Sequence, residues 1–175
     1  QVARQLATVV SFGLSSATAI YLGKTIGEGK LELAKAYSRR FIVLSVVMGL
    51  AGGLLILLAI PVAVSVLSLT LQAKGYLKIM FCIMAYFVVA QAYNTTMVVG
   101  TFRSGGDTRF GLILDVSTMW GCSILFGALA AFVWKWSVPA VYVILMSDEL
   151  IKVPITTFRY LQYRWLRNVT REEIS

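Results

Sequence analysis

Residues 41–60 read FIVLSVVMGLAGGLLILLAI, a run without a single charged side chain. A bilayer core about 30 Å thick is crossed by a helix of roughly 20 apolar residues. The run therefore has the length and the composition of one transmembrane helix. Gly49 and Gly53 lie about one helical turn apart within it, a spacing that lets a neighbouring helix approach closely in lipid.

Working outward from this run, other stretches share its character, at residues 5–22, 79–100, 110–134 and 139–158. The 175-residue chain is 58% hydrophobic and only 14% charged, whereas soluble domains are about 45–50% apolar and about 25% charged. We therefore predict an all-α integral membrane protein. It is a polytopic bundle of five transmembrane helices over residues 1–158, followed by a basic and aromatic tail over residues 159–175.

The Lys and Arg residues predict the orientation, because cytoplasmic loops of membrane proteins are enriched in them. One side of the predicted bundle holds most of the 16. We expect that side and the C-terminus to be cytoplasmic, and the N-terminus of the chain to lie outside, in the plasma membrane. The residues on the expected cytoplasmic side are Lys24, Lys30, Lys35, Arg39, Arg40, Arg103, Arg109, Arg159, Arg164, Arg167 and Arg171; those on the other side are Arg4, Lys74, Lys78 and Lys135.

The two ends of the chain give further expectations. Gln1 is followed almost at once by the first predicted span, and an outside start with five spans is expected of a piece whose upstream part is missing. In the tail, Tyr160, Tyr163 and Trp165 alternate with basic residues, which predicts an anchor at the lipid headgroups. The basic loops and tail account for the net charge of +8 without a nucleic-acid partner.

The residue types present argue against catalysis and metal binding. The chain has no His, and its two cysteines, Cys82 and Cys122, both lie inside predicted spans, where they act as small apolar residues. Neither a zinc-ligand spacing nor a nucleophile with a His base is available. We therefore expect no catalytic residue, no metal site and no cofactor.

Four charged residues fall inside the predicted spans: Asp115, Asp148, Glu149 and Lys152. A charge within the bilayer is costly unless it is paired or hydrated. Lys152 shares a helix face with Asp148. At about 1.5 Å per residue, Asp115 and Lys152 both lie about 10 Å inside the same boundary, so we predict that they meet across the hairpin of the last two spans. The cluster is either a coupling site for sodium ions or protons, or a network that only holds helices together.

Small and neutral polar residues mark two more predicted surfaces. In the third span, Gln91, Asn94, Thr95 and Thr96 either line a water-filled cavity or form hydrogen bonds between helices. In the first span, small residues recur at every fourth position and predict a packed or sliding helix face. These residues are Ser11, Ser15, Ala19, Gly23 and Gly27, with Ala7 before them.

The turn after the third span reads RSGGDTRF over residues 103–110. Its glycines, Gly105 and Gly106, predict a helix that ends in the left-handed conformation. Asp107 is then expected to cap the next helix, with the helix dipole in its favour. The motif residues of the turn are Arg103, Gly105, Gly106, Asp107, Thr108 and Arg109.

Together with three other stretches, this turn resembles the multidrug and toxic compound extrusion (MATE) family over essentially the whole chain. The other stretches are Gly23, Gly27, Gly29 and Ala34 after Leu22; Asp148 and Glu149 with Lys152; and the tail run Trp165, Leu166, Arg167 and Asn168. The resemblance implies a twelve-helix transporter of two six-helix lobes, of which this chain would supply helices eight to twelve.

The resemblance also implies a function. Such a transporter exports cationic or amphipathic drugs or metabolites in exchange for sodium ions or protons, by alternating access. Expected partners are the lipid bilayer, a small-molecule substrate and the missing N-terminal lobe. Some relatives carry a coupling carboxylate on the tenth helix, whereas the corresponding third span here has Gln91 and Asn94 and no acid. The coupling carboxylate then lies in the missing half, or is Asp115 or an acid of the last helix.

The nearest alternative is a lipid-linked oligosaccharide flippase of the same superfamily. A flippase would need arginines deep in its cavity to hold a pyrophosphate group, and no arginine here lies deep in a predicted span. A passive channel is a further alternative. The intramembrane carboxylates and the small-residue seams favour a moving transporter over a channel.

Overall fold

The computed structural model describes residues 2–66 and 70–166. The part of the predicted tail from Arg167 onward, with its motif residues Arg167 and Asn168, lies outside the described residues. Within the described ranges every element is helical. The helices are α1 (Val2–Gly27), α2 (Leu31–Val66), α3 (Leu71–Phe102), α4 (Thr108–Val133), α5 (Val138–Leu145) and α6 (Asp148–Leu161).

Four of these helices, α1 to α4, are long and apolar enough to cross a membrane. Large apolar side chains stay exposed on their outer faces, among them Leu54, Leu55 and Leu58 of α2, which are between 58% and 67% exposed. Such a surface is costly in water but matches lipid chains, which are as apolar as leucine. The predicted all-α membrane fold is confirmed.

Helices α2 and α3 pack closely, and the predicted glycine pair is the reason. A Cβ atom added to Gly53 would stand 2.8 Å from the carbonyl oxygen of Ala85. One added to Gly49 would stand 3.0 Å from the Cα atom of Val89. Only residues without a side chain allow the two backbones to come this near, as the spacing predicted.

The stripe of small residues predicted along α1 is buried over only part of its length. Ser11 and Ser15 are buried, Ala19 is half-buried, and nothing lies within 4 Å of a Cβ atom built on Gly23 or Gly27. A helix turns about 100° per residue, so a strict spacing of four drifts by about 40° at each step. The prediction is therefore wrong for the second half of the stripe. After Ser15 the buried face takes a step of three to Thr18 and continues through Leu22 to Thr25 and Ile26, all of which are buried.

Widened π-helical turns form the end of α3, over Thr96–Phe102, and two parts of α4, Met119–Ile124 and Leu129–Val133. Such turns are rare and are often found at functional sites. In the first of them, a Cβ atom on Gly100 would stand 3.0 Å from the Cβ atom of Thr18. The end of α3 therefore lies directly against α1, immediately after the polar residues Asn94 and Thr95.

The predicted fifth span, residues 139–158, is two helices rather than one. Helix α5 ends at Leu145 and α6 begins at Asp148. The carbonyl groups left at the end of α5 find side-chain donors: the Ser147 hydroxyl donates to Ile144 at 2.7 Å, and the Ser123 hydroxyl donates to Leu145 at 3.2 Å. These serines satisfy the freed backbone groups and so stabilise the break at this point. Pro154 lies inside α6.

The α1–α2 loop and the turn between α3 and α4 lie at one end of the bundle, which we call the basic end. An apolar core fills it, and Trp165 within that core is fully buried. The chain reverses after α6, with Tyr163 at a φ of 52°, and the Trp165 ring stacks on Tyr160 at 5.7 Å between centroids. The prediction that Trp165 anchors at the headgroups is therefore wrong. The buried core residues are Leu22, Ile26, Ala34, Phe102 and Trp165.

Candidate functional site

Lys152 of α6 lies at the centre of three carboxylates. Its Nζ atom is 3.1 Å from Oδ1 of Asp115 on α4, 3.3 Å from Oδ2 of Asp148 and 3.2 Å from Oε1 of Glu149. Lys152 is buried, at 5% exposure. Both predicted contacts of Lys152, with Asp148 along the helix and with Asp115 across the hairpin, are present.

The break between α5 and α6 positions two of these acids. It makes Asp148 and Glu149 the first residues of α6, where the positive end of the helix dipole stabilises negative charge. Lys152 follows Asp148 by four positions and Glu149 by three, which places all three side chains on one face of the helix. Asp148 and Glu149, which directly follow the break in the predicted span, are thus also two of the three acids around Lys152.

Asn94 of α3 connects the charged cluster, which spans α4 and α6, to a third helix. Its Nδ2 atom donates to the carbonyl oxygen of Glu149 at 2.6 Å and to Oε2 of the same residue at 2.8 Å. Its Oδ1 atom accepts from the Thr156 hydroxyl at 3.2 Å. Sequence reasoning missed Thr156, although its position one turn after Lys152 on the same face of α6 was a usable signal.

Asn94 and the four charged residues of the cluster line a cavity of about 360 Å³, which we call the acidic cavity. Gln91 on its wall also donates to the Thr8 hydroxyl of α1 at 3.4 Å, so it takes part in both of the roles left open from the sequence. Thr96 does not line the cavity. The lining consists of Gln91, Asn94, Thr95, Asp115, Asp148, Glu149 and Lys152, with the apolar residues Phe12, Val98, Val99, Val116 and Met119.

The charges and exposures of the acidic cavity set what it can do. Three carboxylates face one ammonium group, so the cavity carries an excess of negative charge whenever more than one carboxylate is ionised. The Asp115 side chain is 48% exposed, whereas those of Asp148 and Glu149 are 14% exposed. Among the described residues, no group of His, Cys, Asp or Glu side chains has an arrangement that would hold a metal ion.

A second cavity, of about 330 Å³, lies beside the break between α5 and α6. None of the predicted site residues line it, and its lining residues carry no charge. They are Cys122, Phe126, Trp134, Trp136, Ile144, Ser147 and Ile151. This apolar cavity offers no group that would bind an ion.

The motif turn has a different chemistry from the predicted one. Asp107 stands at the N-cap position of α4 but its side chain does not cap the helix. It accepts instead from Nε and Nη2 of Arg159 at 2.7 and 3.0 Å. The predicted capping bond is therefore wrong, because a charged, two-point partner on α6 is the stronger one. The same hydrogen bond raises the pKa of Arg159, which lies beyond the last predicted span.

The two glycines of the turn serve separate purposes. Gly106 has a φ of 84°, the left-handed conformation predicted for the end of the helix. Gly105 instead makes room for the returning tail, since a Cβ atom there would lie within 1.5 Å of the Trp165 carbonyl oxygen. The other motif residues, Arg103, Thr108 and Arg109, are exposed.

Helices α4 and α6 are therefore joined by ion pairs at two levels. Asp107 pairs with Arg159 at the basic end, and Asp115 pairs with Lys152 in the acidic cavity. The Arg159 guanidinium also lies over the Phe110 ring, 4.6 Å from its centroid. Seven residues of α6 separate the two levels, about 10 Å along the helix axis.

A family model described as MatE matches residues 3–129. The match covers α1 to α3 and most of α4, including the motif turn and Asp115, and it ends before Asp148, Glu149 and Lys152. No solved structure matches the chain.

Proposed function

This chain belongs to the MatE family of membrane transporters, and from that premise we propose that it is part of a secondary active antiporter. The antiporter exports cationic or amphipathic drugs or metabolites in exchange for sodium ions or protons. The protein is a multi-pass membrane protein; the plasma membrane as its location, with the basic end in the cytoplasm, is part of the proposal.

The acidic cavity is the observation that carries this proposal. Its carboxylates exceed its one ammonium group, and unpaired carboxylates at membrane depth must be protonated, hydrated or bound to a cation. Apolar residues such as Phe12, Val116 and Met119 share its wall, a combination that suits an amphipathic ligand. The same cavity therefore supports binding of a coupling ion and of a cationic substrate.

The chain acts, in this proposal, as the larger part of one lobe. A second lobe, supplied by the N-terminal half of the full protein, would close the cavity and rock against this one to give alternating access. The close packing at Gly49, Gly53 and Gly100 supports movement of the described helices as a unit.

The alternative of a lipid-linked oligosaccharide flippase is less well supported. A flippase must hold two phosphate groups, which requires several cationic side chains in its cavity. Lys152 is the one cationic residue among those that line the acidic cavity, and its ammonium group already faces three carboxylates. The charge of this cavity favours a cation over a pyrophosphate group.

Dye efflux by the full-length transporter in cells tests the proposal. Efflux should require a sodium or a proton gradient, and it should be lost in Asp115→Asn or in Asp148→Asn/Glu149→Gln, because each change removes negative charge from the cavity. Glu28→Gln is the matched control, since Glu28 is an exposed acid of the α1–α2 loop. Gradient-dependent efflux that survives in both cavity variants would place coupling in the other lobe.

A further inference from the structure

We propose that the ion pair between Asp115 and Lys152 is exchangeable. Lys152 is a cation tethered to the protein, and a mobile monovalent cation that enters the acidic cavity displaces it from Asp115. This inference rests on the proposed function, because it requires that cations enter the cavity. It adds that Asp115 is the carboxylate that receives the cations and that they compete with Lys152 for it.

Exposure distinguishes Asp115 from the other two acids. Nearly half of its side chain is exposed, against 14% for Asp148 and for Glu149. Asp115 therefore faces the open part of the cavity, where an arriving cation makes its first contact. Asn94 donates one hydrogen bond to the Glu149 carboxylate and one to its backbone carbonyl oxygen, so the Glu149 carboxylate is less free to reorient than that of Asp115.

Lys152 keeps compensating charge after it leaves Asp115. Asp148 and Glu149 lie four and three residues before it on α6, at 3.3 and 3.2 Å from its Nζ atom, respectively. Their distance from Lys152 is set by the geometry of a single helix and does not depend on α4. Breaking the Asp115 contact thus leaves no unpaired ammonium group in the membrane, which is the step that would otherwise be prohibitive.

The exchange changes the contact between two helices. With Lys152 on Asp115, α4 and α6 are bridged at the level of the cavity; with a mobile cation on Asp115, they are not. The pair between Asp107 and Arg159 joins the same helices at the basic end in both cases. Cation binding and the α4–α6 contact are therefore linked, as two ligands that compete for one site are.

Among the described residues, few charged groups face the pair of Asp115 and Lys152. From α6, Asp148 and Glu149 face Lys152, and from α4 Asp115 does so. Helix α3 contributes the neutral side chains Gln91 and Asn94 to the cavity wall. A proton and a sodium ion are thus both candidates for the mobile cation, and so is the cationic group of a substrate.

Cation affinity of the purified full-length transporter tests the exchange without any transport assay. Affinity is measured as protection against thermal unfolding by sodium chloride, with N-methylglucamine chloride as reference, by tetraphenylphosphonium chloride, and by protons over a pH series. Lys152→Gln should bind the mobile cation more tightly by a factor of about 5 to 150, the usual range for coupling between two ligands. Lys152→Arg keeps the tethered charge and should behave as the wild type.

Two further variants make the result specific. Lys78→Gln removes an equivalent charge at an exposed position of α3 and should leave the affinity unchanged. Asp115→Asn should abolish the gain in the Lys152→Gln background. The cation whose affinity rises identifies the source: sodium ions or protons mark a coupling site, and tetraphenylphosphonium marks a substrate site.

The outcomes separate this inference from the proposed function. Affinity that is unchanged or weaker in Lys152→Gln, while the wild type binds, overturns the exchange and leaves antiport in place. A wild type that binds none of the three cations overturns both. Should Lys152→Gln fail to fold, Asp148→Asn/Lys152→Gln takes its place, because it removes one charge of each sign and keeps the net charge of the cluster. This double variant should show the same gain in cation affinity.

Discussion

Asn94 and Gly105 are single residues whose positions decide what surrounds them. Asn94 is 3% exposed, and its amide group donates to Glu149 and accepts from Thr156. Because an amide does not titrate, Asn94 offers Glu149 the same hydrogen-bond donor at every pH. Gly105 acts by having no side chain at all, since the Trp165 carbonyl group occupies the space that a Cβ atom would need.

Gly105→Ala is the substitution that tests this second case. The added methyl group would overlap a backbone oxygen, which cannot rotate away, so the tail must move and Trp165 must leave its core. We expect the free energy of unfolding to fall by about 1–3 kcal/mol, measured as a shift of the thermal or denaturant midpoint of the full-length protein in detergent.

Gly121→Ala is the matched control for that measurement. It lies in α4, and nothing stands within 4 Å of its Cβ position. There the substitution should be neutral or slightly stabilising, because alanine favours the helix over glycine. Equal changes in the free energy of unfolding in the two variants would mean that the packing of Trp165 against Gly105 contributes nothing to stability.

At the scale of the elements, the pairing of α4 with α6 organises the site. The two ion pairs that join these helices differ in chemistry. Arg159 holds Asp107 with two parallel hydrogen bonds and stacks on Phe110, whereas Lys152 shares a single ammonium group among three acids. The first pair suits a permanent connection, and the second suits one that exchanges.

Arg159→Lys should therefore be a costly substitution, although it keeps the charge. A lysine cannot form the two-point hydrogen bond or the flat stack on Phe110. The loss should be about 1–3 kcal/mol of unfolding free energy, because both side chains are mostly buried, at 20% and 14% exposure. Arg40→Lys, at an exposed position of α2, is the control. Arg159→Lys as stable as Arg40→Lys would show that charge alone matters at this position.

Much at the element scale was predictable from the sequence, and the exceptions have identifiable causes. Apolar runs predict where helices lie, and the glycine pair at Gly49 and Gly53 predicts close packing, because both follow from local rules. The break before Asp148 was missed because Ser147 and Ser123 satisfy the freed carbonyl groups, and Ser123 is distant in sequence. The sequence predicts that Asp107 caps its own helix, because nothing in it indicates that Arg159 lies beside Asp107.

At the scale of the whole molecule, the MatE match and the four membrane-spanning helices explain why so much apolar surface stays exposed. One described core surrounds Trp165 at the basic end, and a second, of Ile56, Ala85, Phe87 and Val88, lies between α2 and α3. The acidic cavity is separate from both and is lined mainly by α3, α4 and α6. We attribute this division to the proposed function: the two cores hold the helices together, and the acidic cavity binds what is carried.

Counterflow in proteoliposomes tests this division most directly. The full-length transporter is reconstituted, and an organic cation such as tetraphenylphosphonium is applied on one side of the membrane. The movement of sodium ions and of protons in the direction opposite to the substrate is then recorded. The account predicts that substrate drives a counterflow of one of the two ions, and that Asp115→Asn abolishes it while Glu28→Gln does not. Substrate movement without ion counterflow, or counterflow that is unchanged in Asp115→Asn, would contradict the account.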